Sequence, residues 1–230
     1  MRRSILIFLL LFISFSVVTC LAQSQEYVGR YDAYVGYAYL TTPNMNLDQH
    51  GFQAQFGYNW KRWAALGIDP SYFGGGSSLT VPMLNDATLA KLAPILPHLP
   101  PGFQVWTPYH ANTFTITAGP QLNYRRFKYV TLFIHPDIGA MYQSVQAQPP
   151  NPIMVSIVTN LLGPSMSTNQ WTAFYGVGGG LDLNVSKHVG IRMQSDWVYT
   201  QLFDNLLRNP QYTWRMSASP TFRFGKNVPK

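Results

Sequence analysis

Side chains able to do acid–base, metal or nucleophilic chemistry are few in this 230-residue chain: nine Asp and Glu, five His and one Cys. The histidines His50, His98, His110, His135 and His188 are scattered, and none lies in a His-x-Ser arrangement on a strand. An external His110 with Ser77 or Asp86 is a conceivable hydrolytic pair, but nothing in the spacing favours it over ordinary loop polarity. Cys20 alone excludes a disulfide framework and a cysteine zinc cluster. There is no phosphate loop. Gly176-x-Gly178-Gly179-Gly180 belongs to a strand-like run whose missing side chains make room, so no cofactor is implied.

What remains is a set of charges with regular spacing. Asp32, Asp69, Asp137, Asp182, Arg192, Asp196, Arg215 and Arg223 all fall on the small, polar parity of alternating segments, with His135 on the same parity. Such residues, enclosed together, form ion pairs or line a conduction path.

The segments that carry them read with period two, which is the strand period. Eight can be delimited, starting near Asp32, Phe52, Ala65, Phe114, Val130, Trp171, Val189 and Tyr212. Their other parity is aliphatic and aromatic, with Phe56, Leu132 and Ile191 as examples. Tyr39, Trp60, Tyr124, Tyr142, Trp171, Tyr199 and Trp214 cluster toward segment ends. A sandwich in water would put the charges outside and the aromatics inside. Here the charges belong to an enclosed lumen and the oily face to lipid, with end aromatics at headgroup level. A charge at midplane on the lipid face would cost about 2–4 kcal/mol, which accounts for its absence there.

Connection lengths alternate as such a barrel requires. Lys61-Arg62, Arg125 to Tyr129 and Ser186 to His188 are short; 41–51, 74–111, 145–169 and 201–211 are long. The expected fold is all-β: an eight-stranded antiparallel up-and-down transmembrane β-barrel with short periplasmic turns and long extracellular loops. The start of the chain fits export. Arg2 and Arg3 precede an apolar core, Ile5 to Val18, and Cys20-Leu21-Ala22 ends in small residues, giving a signal peptide over 1–22 and a barrel domain over 23–230. A lipoprotein reading would use Cys20, but Thr19 stands where small residues are favoured.

Over about 27–225 the pattern resembles the small OmpA-like outer-membrane β-barrels. The sharpest piece is Ser217-Ala218-Ser219-Pro220-Thr221-Phe222-Arg223-Phe224, similar to the C-terminal insertion signal read by the barrel-assembly machinery, with Phe222 and Phe224 as its aromatics. The resemblance implies an integral protein of the cell outer membrane, surrounded by its lipids and lipopolysaccharide. Pro70, Pro120, Pro136 and Pro220 lie within strands and predict bulges or bends, since each removes a ladder donor.

Side chains roughly fill an eight-stranded lumen. Counting from the periplasmic end puts Asp32, Asp182, Arg192 and Arg223 in a lower layer, expected to form an ion-pair chain. Asp69, Asp137, Asp196 and Arg215 make an upper layer short of cations, which His135 or protonated carboxyls would balance. Asp86 is expected to cap a loop helix carrying Leu89, Leu92, Ala93 and Leu96, and Asn151-Pro152 to start a second through Ile157 and Leu161. These helices pack on each other over the mouth, or the loops 74–111 and 145–169 dock an extracellular partner.

The net charge of +7 does not signal nucleic-acid binding. Lys61, Arg62, Arg125, Arg126, Lys128 and Lys187 gather in the short turns as a collar suited to anionic headgroups, with no interleaved aromatic platform. The expected function is therefore non-enzymatic: an envelope-structural barrel with a polar, charged plug and surface recognition through its loops. The competing readings are a narrow porin-like solute channel and a lipid-modifying enzyme.

Overall fold

A computed structural model of the chain describes residues 25–208 and 212–229, so the expected signal peptide and Cys20 lie outside the described residues. Eight strands follow one another: β1 (Gly29–Thr42), β2 (Leu47–Asn59), β3 (Ala64–Thr80), β4 (Trp106–Tyr124), β5 (Val130–Ala147), β6 (Ser167–Asn184), β7 (Val189–Thr200) and β8 (Tyr212–Asn227). Each pairs antiparallel with its neighbours in sequence, and β1 pairs with β8 to close the ring. Closure leaves no free edge, and the alternation of side chains sorts every strand into a lumen face and an outer face.

The sorting follows the expected parity. Val35, Ile134 and Ile138 on the outer face are 62%, 60% and 66% exposed, whereas Asp182 and Arg215 in the lumen are both 0%. Rings band the two rims of the outer face, as in Tyr31 on Phe224 at 5.7 Å and Trp197 on Tyr212 at 5.4 Å. Apolar groups left outside while charges are enclosed make sense only if the surroundings are not water.

Two sequence expectations are corrected here. First, the prolines cause no bulge. The β4–β5 register is the same on both sides of a gap between Ala118↔Ile138 and Leu122↔Ile134, the rows in which Pro120 faces Pro136. Pro220 opens a similar gap on the β1 side while its row with Ile191 of β7 stays paired. A strand residue donates its N–H toward one neighbour only, so a proline omits a bond on that side and leaves the other ladder intact. The one shift in the β1–β8 register lies elsewhere, between Gly29 and Tyr31.

Second, the outer loops are shorter than the alternation suggested. β1 and β2 are joined by a tight 3-10 turn, Pro43–Met45, rather than by 41–51. β3 runs to Thr80 and β4 starts at Trp106, while β5 and β6 extend to Ala147 and from Ser167. The long connections that remain carry helices α1 (Asp86–Leu92) and α2 (Pro152–Leu162). Asn85, not Asp86, caps α1, its side chain accepting from Thr88 N at 2.8 Å; Asp86 is the first helical residue. Leu96 lies past α1, in the 3-10 turn Leu96–His98. Asn151 caps α2 in the same way, accepting from Met154 N at 2.9 Å, with Pro152 in the first turn.

The helices pack on each other. Leu92 of α1 shares one buried cluster with Met154, Ile157 and Val158 of α2 and Ala147 of β5. Beneath it a second cluster of Leu40, Phe73, Met141, Phe174 and Val198 fills the outer part of the lumen.

Candidate functional site

The lower charge layer is built on one register row. Asp182 of β6 stands opposite Arg192 of β7. Arg192 Nε and Nη2 donate to the two Asp182 oxygens at 2.7 and 2.9 Å, a bidentate pair. Its Nη1 crosses the lumen to Gln55 Oε1 of β2 at 2.6 Å, and the ring of Phe133 lies 4.5 Å from the guanidinium carbon. Arg223 of β8 reaches the same carboxylate at 3.2 Å by passing over Gly190 of β7, where an added Cβ would sit 3.0 Å from its Nη2.

Asp32 departs from the expected chain. It faces Arg223 in register, yet among the described residues it makes no direct ion pair and accepts instead from Asn59 Nδ2 at 2.7 Å. Asn59 Oδ1 in turn accepts from Arg125 Nη2 at 3.0 Å. Arg125 therefore does not belong to the exposed collar. It folds back under the barrel, buried, with Nε donating to Arg62 O at 2.9 Å. Short turns put a long arginine within reach of the lumen's unpaired acceptors, which the bilayer surface could not satisfy as well.

The upper layer gathers three carboxylates around one guanidinium. Arg215 of β8 lies 2.7 Å from Asp196, 3.2 Å from Asp69 and 3.5 Å from Asp137. His135 bridges two of them, with Nδ1 3.0 Å from Asp137 Oδ2 and Nε2 3.3 Å from Asp196 Oδ1. Gln194 adds two donations to Asp196, at 3.1 and 2.9 Å.

Tyr34, Gln53 and Gln194 extend the upper layer toward Arg192, whose guanidinium carbon lies 5.2 Å from the Tyr34 ring, and sequence reasoning did not place them in the network. Tyr34 donates to Gln194 Oε1 at 3.1 Å and accepts from Gln53 Nε2 at 2.7 Å, and the same amide reaches Asp69. The signal available was their inward parity. Uncharged residues on that parity are common, and only strand stagger shows which lie level with the charges.

Gly178 of β6 makes the space for the His135–Asp196 contact: a Cβ there would run into the Asp196 carboxylate and come within 2.9 Å of the His135 ring. Gly178→Ala is expected to destabilise the barrel by about 1–3 kcal/mol through overpacking. Gly176→Ala, whose nearest atom would be 3.3 Å away, should cost less. Urea unfolding in lipid vesicles compares the two, and equal midpoints would show that the layer repacks freely.

His135, Asp137 and Asp196 each offer a ligand atom, mutually within 4.8 Å. The two ring nitrogens face different carboxylates, so an ion on one nitrogen would leave the second carboxylate across the ring. With Arg215 already on both acids, the group is better described as an ion-pair cluster. The other histidines form no common centre. His110 is exposed on the outer face opposite Gly76, and His50 Nδ1 is 2.6 Å from the Tyr37 hydroxyl. Phe222 and Phe224 point outward, 52% and 44% exposed.

No family model and no curated protein matches this chain. Solved structures do. The attachment invasion locus protein Ail of Yersinia pestis is 14% identical, with 86% of this chain and 99% of that one aligned at a TM-score of 0.51. Neisserial surface protein A is 13% identical over 84% of this chain and 96% of that one, TM-score 0.52. The outer membrane protein OprG of Pseudomonas aeruginosa is 8% identical over 89% and 100%, TM-score 0.50. The chain thus has the fold of the small, OmpA-like outer-membrane β-barrels.

Proposed function

From this fold as premise, we propose that the protein is an integral, non-enzymatic barrel of the outer membrane with an envelope-structural role and a lumen sealed by side chains. It is exported by a signal peptide over 1–22 and inserted through its Phe222 and Phe224 signal, and its outer loops provide surface recognition. The observation that carries the reading is the stacking of two ion-paired layers and one apolar layer along the lumen, each spanning the ring. A solute would have to break buried, bidentate charge pairs to pass, and eight strands leave little width to spare. Surface recognition falls to what the loop packing leaves outward, such as Ile153 and Val155 of α2, both 39% exposed.

Refolded protein in a planar lipid bilayer is expected to give no stepwise conductance. Regular unitary steps from the unmodified protein would overturn the sealed reading and favour the narrow channel. Arg192→Ala tests the related idea of a salt-bridge gate: a gate predicts new conductance steps, whereas a structural plug predicts reduced stability and silence. Unchanged lipid A mass after exposure to the protein is expected. N-terminal sequencing of protein from outer-membrane fractions is expected to begin at Gln23.

A further inference from the structure

Above the upper charge layer the lumen turns apolar, and a cavity of about 110 Å³ lies between the barrel mouth and the loop helices. Leu40, Met45, Met141, Val145, Leu161 and Phe203 contribute to its wall, and no charged side chain does. Cavities of roughly 150 Å³ lined by Leu, Ile and Phe stay dry and take up benzene or xenon. Size and lining therefore match a ring of six or seven carbons.

Two further features distinguish it from a packing defect. Phe203 adopts φ +54°, a left-handed backbone rare for a bulky residue and concentrated at ligand clamps. Its N–H donates to Gln170 Oε1 at 2.6 Å, which ties the β7–β8 loop to β6. The loop is also tied to the α1 side, where Asn85 N donates to Leu206 O at 3.1 Å and Arg208 N to Met83 O at 2.8 Å. The strained residue is thus held over the cavity from both sides. In addition, the hydroxyls of Thr107 and Tyr109, both on the wall, are buried without a hydrogen-bond partner, giving two polar points in an otherwise apolar lining.

We propose that this cavity is a binding site for a small uncharged apolar molecule, of about the size of toluene and with at most two hydrogen-bonding groups, clamped by the Phe203 loop. Charged molecules of the same size are excluded, because the wall has no opposite charge to compensate their desolvation.

The test is a toluene titration of the refolded protein in lipid nanodiscs, with ¹³C-labelled methionine methyls. Met45 and Met141 line the cavity, whereas Met193 faces outward at 50% exposure and reports toluene dissolving in the lipid. Saturable shifts are expected at Met45 and Met141 and a linear drift at Met193. Benzoate, the same ring with a charge, is expected to give no saturable shift. Val145→Trp fills the cavity and is expected to raise the half-saturating toluene concentration at least tenfold; Leu161→Phe replaces it if the tryptophan variant fails to fold. Linear drift at all three methyls would overturn the proposal. So would an equal saturable response to benzoate, or unchanged saturation in a folded filling variant. Sealed-lumen conductance is measured separately, so failure of this site leaves that reading standing.

Discussion

Arg215→Ala is expected to cost about 3–5 kcal/mol, a third or more of the stability of an ordinary domain of about 10 kcal/mol. The guanidinium is fully buried and sits within 3.5 Å of Asp69, Asp137 and Asp196, with His135 as the other nearby cation source. Deleting it leaves three carboxylates facing one another in a space closed to bulk water, and like charges there can be relieved only by protonation or by opening the fold. The measurement is the fraction of protein that keeps its compact, heat-sensitive gel mobility, together with guanidinium unfolding in vesicles. Adding Asp196→Asn to the variant should restore part of the loss, because it removes one of the stranded charges. A loss under about 1 kcal/mol would mean that water reaches the layer and screens it.

The second large effect lies on the outer face. Ile134→Arg places a guanidinium on the outer face of β5, between the rim aromatics Tyr129 and Tyr142, at a position 60% exposed to the surroundings. If those surroundings are acyl chains, folding into vesicles weakens by about 2–4 kcal/mol. Val185→Arg, in the turn after β6 and 69% exposed, is the matched control and should change stability by less than about 1 kcal/mol. Equal, small effects at both sites would place the outer face of β5 in water and remove the membrane reading.

The wall of the barrel was legible in the sequence because alternation is a strictly local signal: each strand residue points in or out according to its parity, whatever the rest of the chain does. Asp137 and Ile138 are adjacent in the chain, and the structure sends one into the lumen and the other outward as parity requires. Strand ends were not legible for the same reason. Beyond the apolar belt the outward positions become polar, as at Asp48, His50 and His110, so the two faces no longer differ in type even though the ladder continues. The charge layers were partly legible. Parity put all nine residues in the lumen, but which ones meet depends on stagger around the closed ring and on reach. Arg223 therefore bypasses its register partner Asp32 for Asp182, while Arg125, read as a turn residue, turns inward to Asn59. The proline gaps required knowing toward which neighbour each missing N–H would point, which follows from pairing and not from composition.

The facing prolines of β4 and β5 give the wall a seam. With Pro120 and Pro136 sharing a row, the stitches between these two staves are thinnest a few rows in from the short turn that joins them, while the flanking rows hold them in line. Under lateral load, from a crowded bilayer or a pulling tip, the cask would part there first. Amide exchange should run fastest along that line.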